Sequence, residues 1–130
     1  MIDAFVNGNI EEDLTQLFRI LVFNVLVGNR DDHLRNHRFI CEPSGWRLSA
    51  AFDMNPSLAR AEHALTLDGA SAAPNMNAVL NTAELYRLER ASDQAIVAEV
   101  NSAVLTWRDE AQQCGLPSLE IKRMEGAFQA

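Results

Sequence analysis

The sequence predicts a mainly α-helical chain with one small β-hairpin. Three observations predict it. A long apolar segment between Ile10 and Val27 repeats at helical spacing, a second apolar stripe runs from Ile96 to Ala111, and two short strand-like runs flank Pro43-Ser44-Gly45.

Leu14, Leu17, Phe18, Leu21, Val22 and Val25 share one helical face, and Ile20, Phe23 and Val27 fill the others toward the end, so the first helix is expected to be central and buried. Asn9 with Glu12 three residues on reads as a capping box, and Gly28 suits the left-handed position that closes a helix. The next stretch, Gly28 to Asn36, is short, polar and rich in turn formers. Arg38–Cys41 and Trp46–Leu48 then read as the strands of the hairpin. Pro56 biases Asn55 away from helix. Residues 57–80 read as irregular with one short helix. Asn81 with Glu84 reads as a second capping box opening a helix to about Arg90, and a longer helix is expected from Asp93 to about Cys114, ended by Gly115 and Pro117. Its stripe is Ile96, Val100, Ala103, Val104, Trp107 and Ala111. Ser118 is expected to cap a last helix through Phe128. Trp107 and Phe39 read as core.

A chain of 130 residues suits one domain, here 1–130, with enough core to need no staple. No apolar run approaches the roughly 18 residues that span a bilayer, and MIDAFVNGN lacks the basic and apolar regions of a leader. The expectation is a cytoplasmic protein with no membrane partner. Cys41 and Cys114 lack any close cysteine neighbour and read as independent thiols. A net charge of −7 repels phosphate backbones, so direct nucleic-acid binding is not expected.

The chemistry rests on Asp31, Asn36 five positions later, and Asp53 beyond the hairpin. Phosphoryl transfer calls for such a set: an Asp to accept the proton of an attacking hydroxyl, then an Asn and a further Asp whose oxygens hold Mg²⁺ against nucleotide phosphates. Taken singly, Asp31, Asp32 and Asn36 could simply make turns and caps; Asn29 suits a turn cap, and Asp32 and Arg35 read as solvated or capping. Two other metal readings fare worse. An EF-hand beginning at Asn29 would need Gly at Leu34 and Glu at Ile40. His33, His37 and Cys41 would converge on zinc only along a helix, and this stretch reads as loop and strand.

The run from Val25 to Asn36 (VLVGNRDDHLRN), then Gly45–Ser49 (GWRLS), Ala51–Pro56 (AFDMNP), Leu65–Gly69 (LTLDG) and the helix around Ile96 to Arg108 together resemble the C-terminal domain of HipA-like serine/threonine protein kinases, toxin components of bacterial toxin–antitoxin modules. The resemblance covers about residues 10–117. It implies a helical kinase-like C-lobe with the hairpin next to the catalytic loop. Asp31 would then be the catalytic base and Asn36 and Asp53 the Mg²⁺ ligands. His33 would stand where the catalytic-loop lysine of other kinases contacts the γ-phosphate, a role weighed evenly against that of a structural histidine. Met54-Asn55 stands in place of the usual Phe-Gly, so switching through that Phe is not implied.

Such a kinase also needs a lysine on an N-terminal strand to hold ATP, and the single lysine here is Lys122, in the last expected helix. The N-terminal ATP-clamping lobe is therefore expected to be absent from these residues, with Mg²⁺ and ATP engaged only alongside a complementary N-lobe and the chain inactive alone. The alternative is a non-catalytic interaction domain that binds an antitoxin-like helix-turn-helix protein or a separate N-lobe chain, rather than a protein substrate.

Overall fold

The computed structural model describes residues 9–29, 31–58 and 76–128. Helix α1 spans Ile10–Leu26 and buries Leu14, Leu17, Phe18, Ile20, Val22, Val25 and Leu26. Three acidic residues in its first turn, Glu11, Glu12 and Asp13, face the positive end of the helix dipole. The expected capping box is replaced by a different bond: Asn9 Nδ2 donates to Glu12 Oε2 at 2.8 Å, and no side chain caps the backbone.

The far end of α1 follows the sequence closely. Gly28 lies at φ +62°, its N–H donates to the Val25 carbonyl at 3.2 Å, and the Asn29 N–H donates to the Asn24 carbonyl at 2.8 Å. This pair of bonds is a Schellman closure, which needs a residue tolerant of the left-handed region. A β-carbon on Gly28 would lie 2.8 Å from the Ala127 carbonyl oxygen and 3.2 Å from that of Ser57. Three distant stretches of chain therefore converge where α1 ends.

Strands β1 (Phe39–Glu42) and β2 (Gly45–Leu48) form an antiparallel hairpin, with Phe39 opposite Leu48 and Glu42 opposite Gly45. The hairpin is tied to α1 by Asp13. Its buried carboxylate receives Arg47 Nε at 3.0–3.1 Å, Arg47 Nη2 at 3.0 Å and the Leu48 N–H at 3.0 Å. Arg47 also donates to Glu12 at 3.1 Å. The hydrogen bond to Asp13, reinforced by the charges of Asp13, Glu12 and Glu42, holds the Arg47 guanidinium protonated beyond its ordinary range, against the smaller opposing effect of desolvation.

After the hairpin come α2 (Met76–Asn81), a 3₁₀ turn at Ala83–Tyr86, α3 (Arg90–Leu105), α4 (Trp107–Gln113) and α5 (Ser118–Met124). The core joins Phe18, Val22, Val25, Leu26 and Val27 to Val79, Ala83, Ile96, Val100 and Val104, so α1 and α3 pack face to face. The mainly α architecture with one small hairpin is the one expected.

Three expected helices differ in their bounds. Asn81 closes α2 instead of capping a new helix: the Thr82 hydroxyl and N–H both bond the Val79 carbonyl, at 2.7 and 3.0 Å, and Glu84 falls inside the 3₁₀ turn. The long helix expected from Asp93 begins at Arg90 and breaks at Thr106. There the hydroxyl and N–H take the same Ala103 carbonyl, at 2.8 and 3.3 Å, and interrupt the ladder. Gly115, at φ +75°, ends α4 with a second Schellman closure, its N–H on Gln112 and that of Leu116 on Ala111. The last helix stops at Met124, short of Phe128, and Pro117 rather than Ser118 holds its N-cap position.

Trp107 stacks on Phe128 with ring centroids 4.1 Å apart, and Arg108 lies over the Trp107 ring. Trp107 and Phe39, expected in the core, are half-buried. Cys41 and Cys114 are free thiols, as expected. No helix among the described residues is long and apolar enough to cross a membrane.

Candidate functional site

The loop after α1 is organised around side-chain amides and one buried carboxylate. Asn24, with Asp13 one of the two polar residues that α1 buries, donates through Nδ2 to Asp32 Oδ2 at 2.9 Å. Asp32 Oδ1 meets His37 Nε2 at 2.9 Å. Asn24 Oδ1 accepts from Asn29 Nδ2 at 3.1 Å. Asn29 Oδ1 in turn accepts the Asp31 N–H at 3.2 Å, the turn-capping bond its position suggests, and Asn29 Nδ2 lies 3.4 Å from the Asp53 carbonyl oxygen. Asp32, read from sequence as solvated or capping, is 6% exposed and belongs to the interior, because Asn24 and His37 satisfy both its oxygens. Arg35 is exposed, in keeping with the reading from sequence.

The expected residues distribute around this network. Asn36 ends a 3₁₀ turn at Leu34–Asn36 and donates through Nδ2 to the Asp31 carbonyl at 3.3 Å, so its amide oxygen remains an acceptor. Asp53 is exposed and sits at φ +58°, a left-handed conformation uncommon outside glycine. Asn55 Nδ2 donates to Asp53 Oδ1 at 2.9 Å. Asn36 and Asp53 line one small cleft of about 10 Å³ together with Asn24, Asn29, Asp32, His37, Ala51, Phe52 and Met54. That volume is about the size of one water. Asp31 is exposed beside it and tied to Asn36 through the backbone. His33 does not line the cleft; it is half-buried, precedes the 3₁₀ turn, and its Nδ1 is enclosed without a hydrogen-bond partner.

A model of the family described as HipA-like C-terminal domain matches residues 1–108. The chain belongs to the HipA-like C-terminal domain family. Comparison with curated proteins finds no match. The family match covers α1, the polar loop, the hairpin and α3, and stops just inside α4, so Leu116, α5 and the turn to Phe128 lie beyond it. The Leu65–Gly69 run that contributed to the resemblance lies outside the described residues.

Within this HipA-like domain the donors fit a hard cation. Asp53 offers a carboxylate and Asn36 an amide oxygen, the ligand types magnesium takes in small number while keeping water and phosphate oxygens. Among the described residues no three His, Cys, Asp or Glu side chains come together as a metal cage. His37, one of the three residues of the zinc reading, is engaged with Asp32, and Cys41 lies exposed on β1.

The sequence reading did not find Asn24, the buried role of Asp32, or Tyr86. An asparagine set among the apolar residues of the second half of α1, between Phe23 and Val25, was the available signal for the first. Tyr86 packs against Phe18 at 5.4 Å, and burial first, then the negative charge of Asp32, pushes its phenol above the ordinary 10.0. The folded value is raised, so Tyr86 contributes stability that is fully present below pH about 10 and is lost as pH rises through the folded value. Since it is the only tyrosine, tyrosinate absorbance reads it directly. The native midpoint is expected above that of the chain in denaturant, and Asp32→Asn is expected to lower it only in part, burial being the larger cause.

Proposed function

We propose that this HipA-like domain carries the metal- and phosphate-facing half of a serine/threonine protein kinase site, with Asp31 as base, Asn36 and Asp53 as magnesium ligands and His33 toward phosphate. The observation that carries this reading is the meeting of Asn36 and Asp53, far apart in sequence, in one cleft beside Asp31. Asp31, with its N–H held by Asn29 and its carbonyl by Asn36, presents its carboxylate from a fixed backbone and accepts the proton of a substrate hydroxyl. Asn36 and Asp53 each spend one polar atom on a loop contact and keep an oxygen for a cation. Magnesium, when bound there, supplies charge neutralisation for the phosphate oxygens. His33, enclosed at Nδ1, offers Nε2 as its remaining polar atom. Lys122 lies in α5, so the reading assigns the ATP-clamping lysine to a complementary N-lobe.

The test is an NMR titration of the full chain with Mg·ATP, following the amides of Asp31, Asn36 and Asp53, with Asp53→Ala as control. Saturable shifts with a dissociation constant of about 1 mM, worth about 4 kcal/mol, and lost in Asp53→Ala are expected. Shifts that persist unchanged in Asp53→Ala would remove the reading, and none at several times that concentration would leave two: that nucleotide binds only with the complementary N-lobe, or that this is an interaction domain for an antitoxin-like helix-turn-helix protein or an N-lobe chain. The same choice can be made in cells, where Asp31→Ala and Asp53→Ala abolish any effect that depends on chemistry and spare one that depends on binding alone.

A further inference from the structure

We infer that Asn29 is a positioning residue that couples the loop of the base to the loop of the metal ligand, so that Asp31 and Asp53 move as one unit. The inference deepens the proposed kinase-type site and rests on that reading only for what the coupling serves. Asn29 is 3% exposed and its amide is engaged at both ends. The oxygen takes the Asp31 N–H at 3.2 Å; the nitrogen serves Asn24 Oδ1 at 3.1 Å and the Asp53 carbonyl at 3.4 Å. No other side chain bridges these two loops among the described hydrogen bonds, and an amide is the group suited to do it, since it accepts on one atom and donates on the other.

Behind Asn29 the relay Asn24–Asp32–His37 fixes the orientation of the amide, because Asn24 Nδ2 is committed to Asp32 and only Asn24 Oδ1 is left to face Asn29. In front of it Asp53 holds a left-handed backbone that an Asp adopts at some cost and that a bond to its carbonyl helps to maintain. Residues that orient metal ligands in this way affect affinity without touching the ion.

The experiment compares amide spectra of the full chain for wild type, Asp53→Ala, Asn29→Ala and the double variant, first without ligand. Alanine tolerates the left-handed region poorly, so Asp53→Ala displaces its loop, and the Asp31 amide is expected to shift in the wild-type background and to stay nearly still when Asn29 is already gone. An equal Asp31 shift in both backgrounds would overturn the coupling. Where Asn29→Ala loses the dispersion of the α1 and α3 core resonances, Asn29→Asp takes its place: it keeps the acceptor for Asp31 and removes the donor to Asp53.

Mg·ATP titration is the second arm. Asn29→Asp adds a negative charge, which by electrostatics alone would tighten a cation; the coupling predicts instead a loss of about 10–100-fold, and tighter binding would count against it. A wild-type chain that binds no Mg·ATP bears on the kinase reading alone, while the ligand-free comparison still decides the role of Asn29.

Discussion

Gly28→Ala is expected to destabilise the chain by about 2–5 kcal/mol, from a left-handed penalty of about 1–2 and an overpacking cost of about 1–3. The penalty comes from φ +62°, and the overpacking from a β-carbon 2.8 Å from the Ala127 carbonyl oxygen, a backbone atom that cannot swing aside. A domain of this size has about 5–15 kcal/mol of stability in total, so a substantial share of it would be lost. Gly115→Ala provides the internal control: Gly115 has φ +75° but a β-carbon there would meet nothing within 4 Å, so only the conformational part applies. Urea unfolding of the two variants separates the terms. A difference of less than about 0.5 kcal/mol between them, the usual scatter of surface changes, would mean that the C-terminal turn yields freely at Ala127.

The second large effect belongs to Asp13. Asp13→Ala removes the carboxylate that holds Arg47 by two nitrogens and leaves the Leu48 N–H without its acceptor. A thermal midpoint lower by about 5–10 °C is expected. Faster amide exchange at Asp31 and Asn36 should accompany it, because the hairpin that carries the chain away from the loop loses its anchorage to α1. A variant with the wild-type midpoint and exchange pattern would show that the hairpin stands on its own turn and strand pairing.

The residues that were legible in the sequence are those whose signal is local. The apolar face of α1, the glycine at its end and the strand pair around Pro43-Ser44-Gly45 each follow from neighbours a few positions away. The two capping boxes show where local reading fails: Asn9 and Glu12 bond each other instead of the backbone, and Asn81 ends a helix because Thr82 claims the Val79 carbonyl. Asp32 shows the same from the other side. Nothing beside it in the chain marks it for burial; its partners Asn24 and His37 come from α1 and from beyond the 3₁₀ turn, and only the fold brings them together. The break at Thr106 was hidden because threonine is tolerated in helices and the stripe continues through Val104 to Trp107.

Asp13 and Arg47 are 34 positions apart, and their union closes a ring of chain that contains Asp31, His33 and Asn36 and leaves Asp53 just outside. Closing a ring costs entropy that rises only with the logarithm of its length, but the cost falls due before contacts inside the ring can compensate. Helix α1 can wind from local contacts and the hairpin can zip from its own turn, whereas the polar loop between them takes shape once both have docked. In the order of assembly, then, the candidate site belongs to the late steps of folding, and it is among the first parts surrendered when the hairpin lets go.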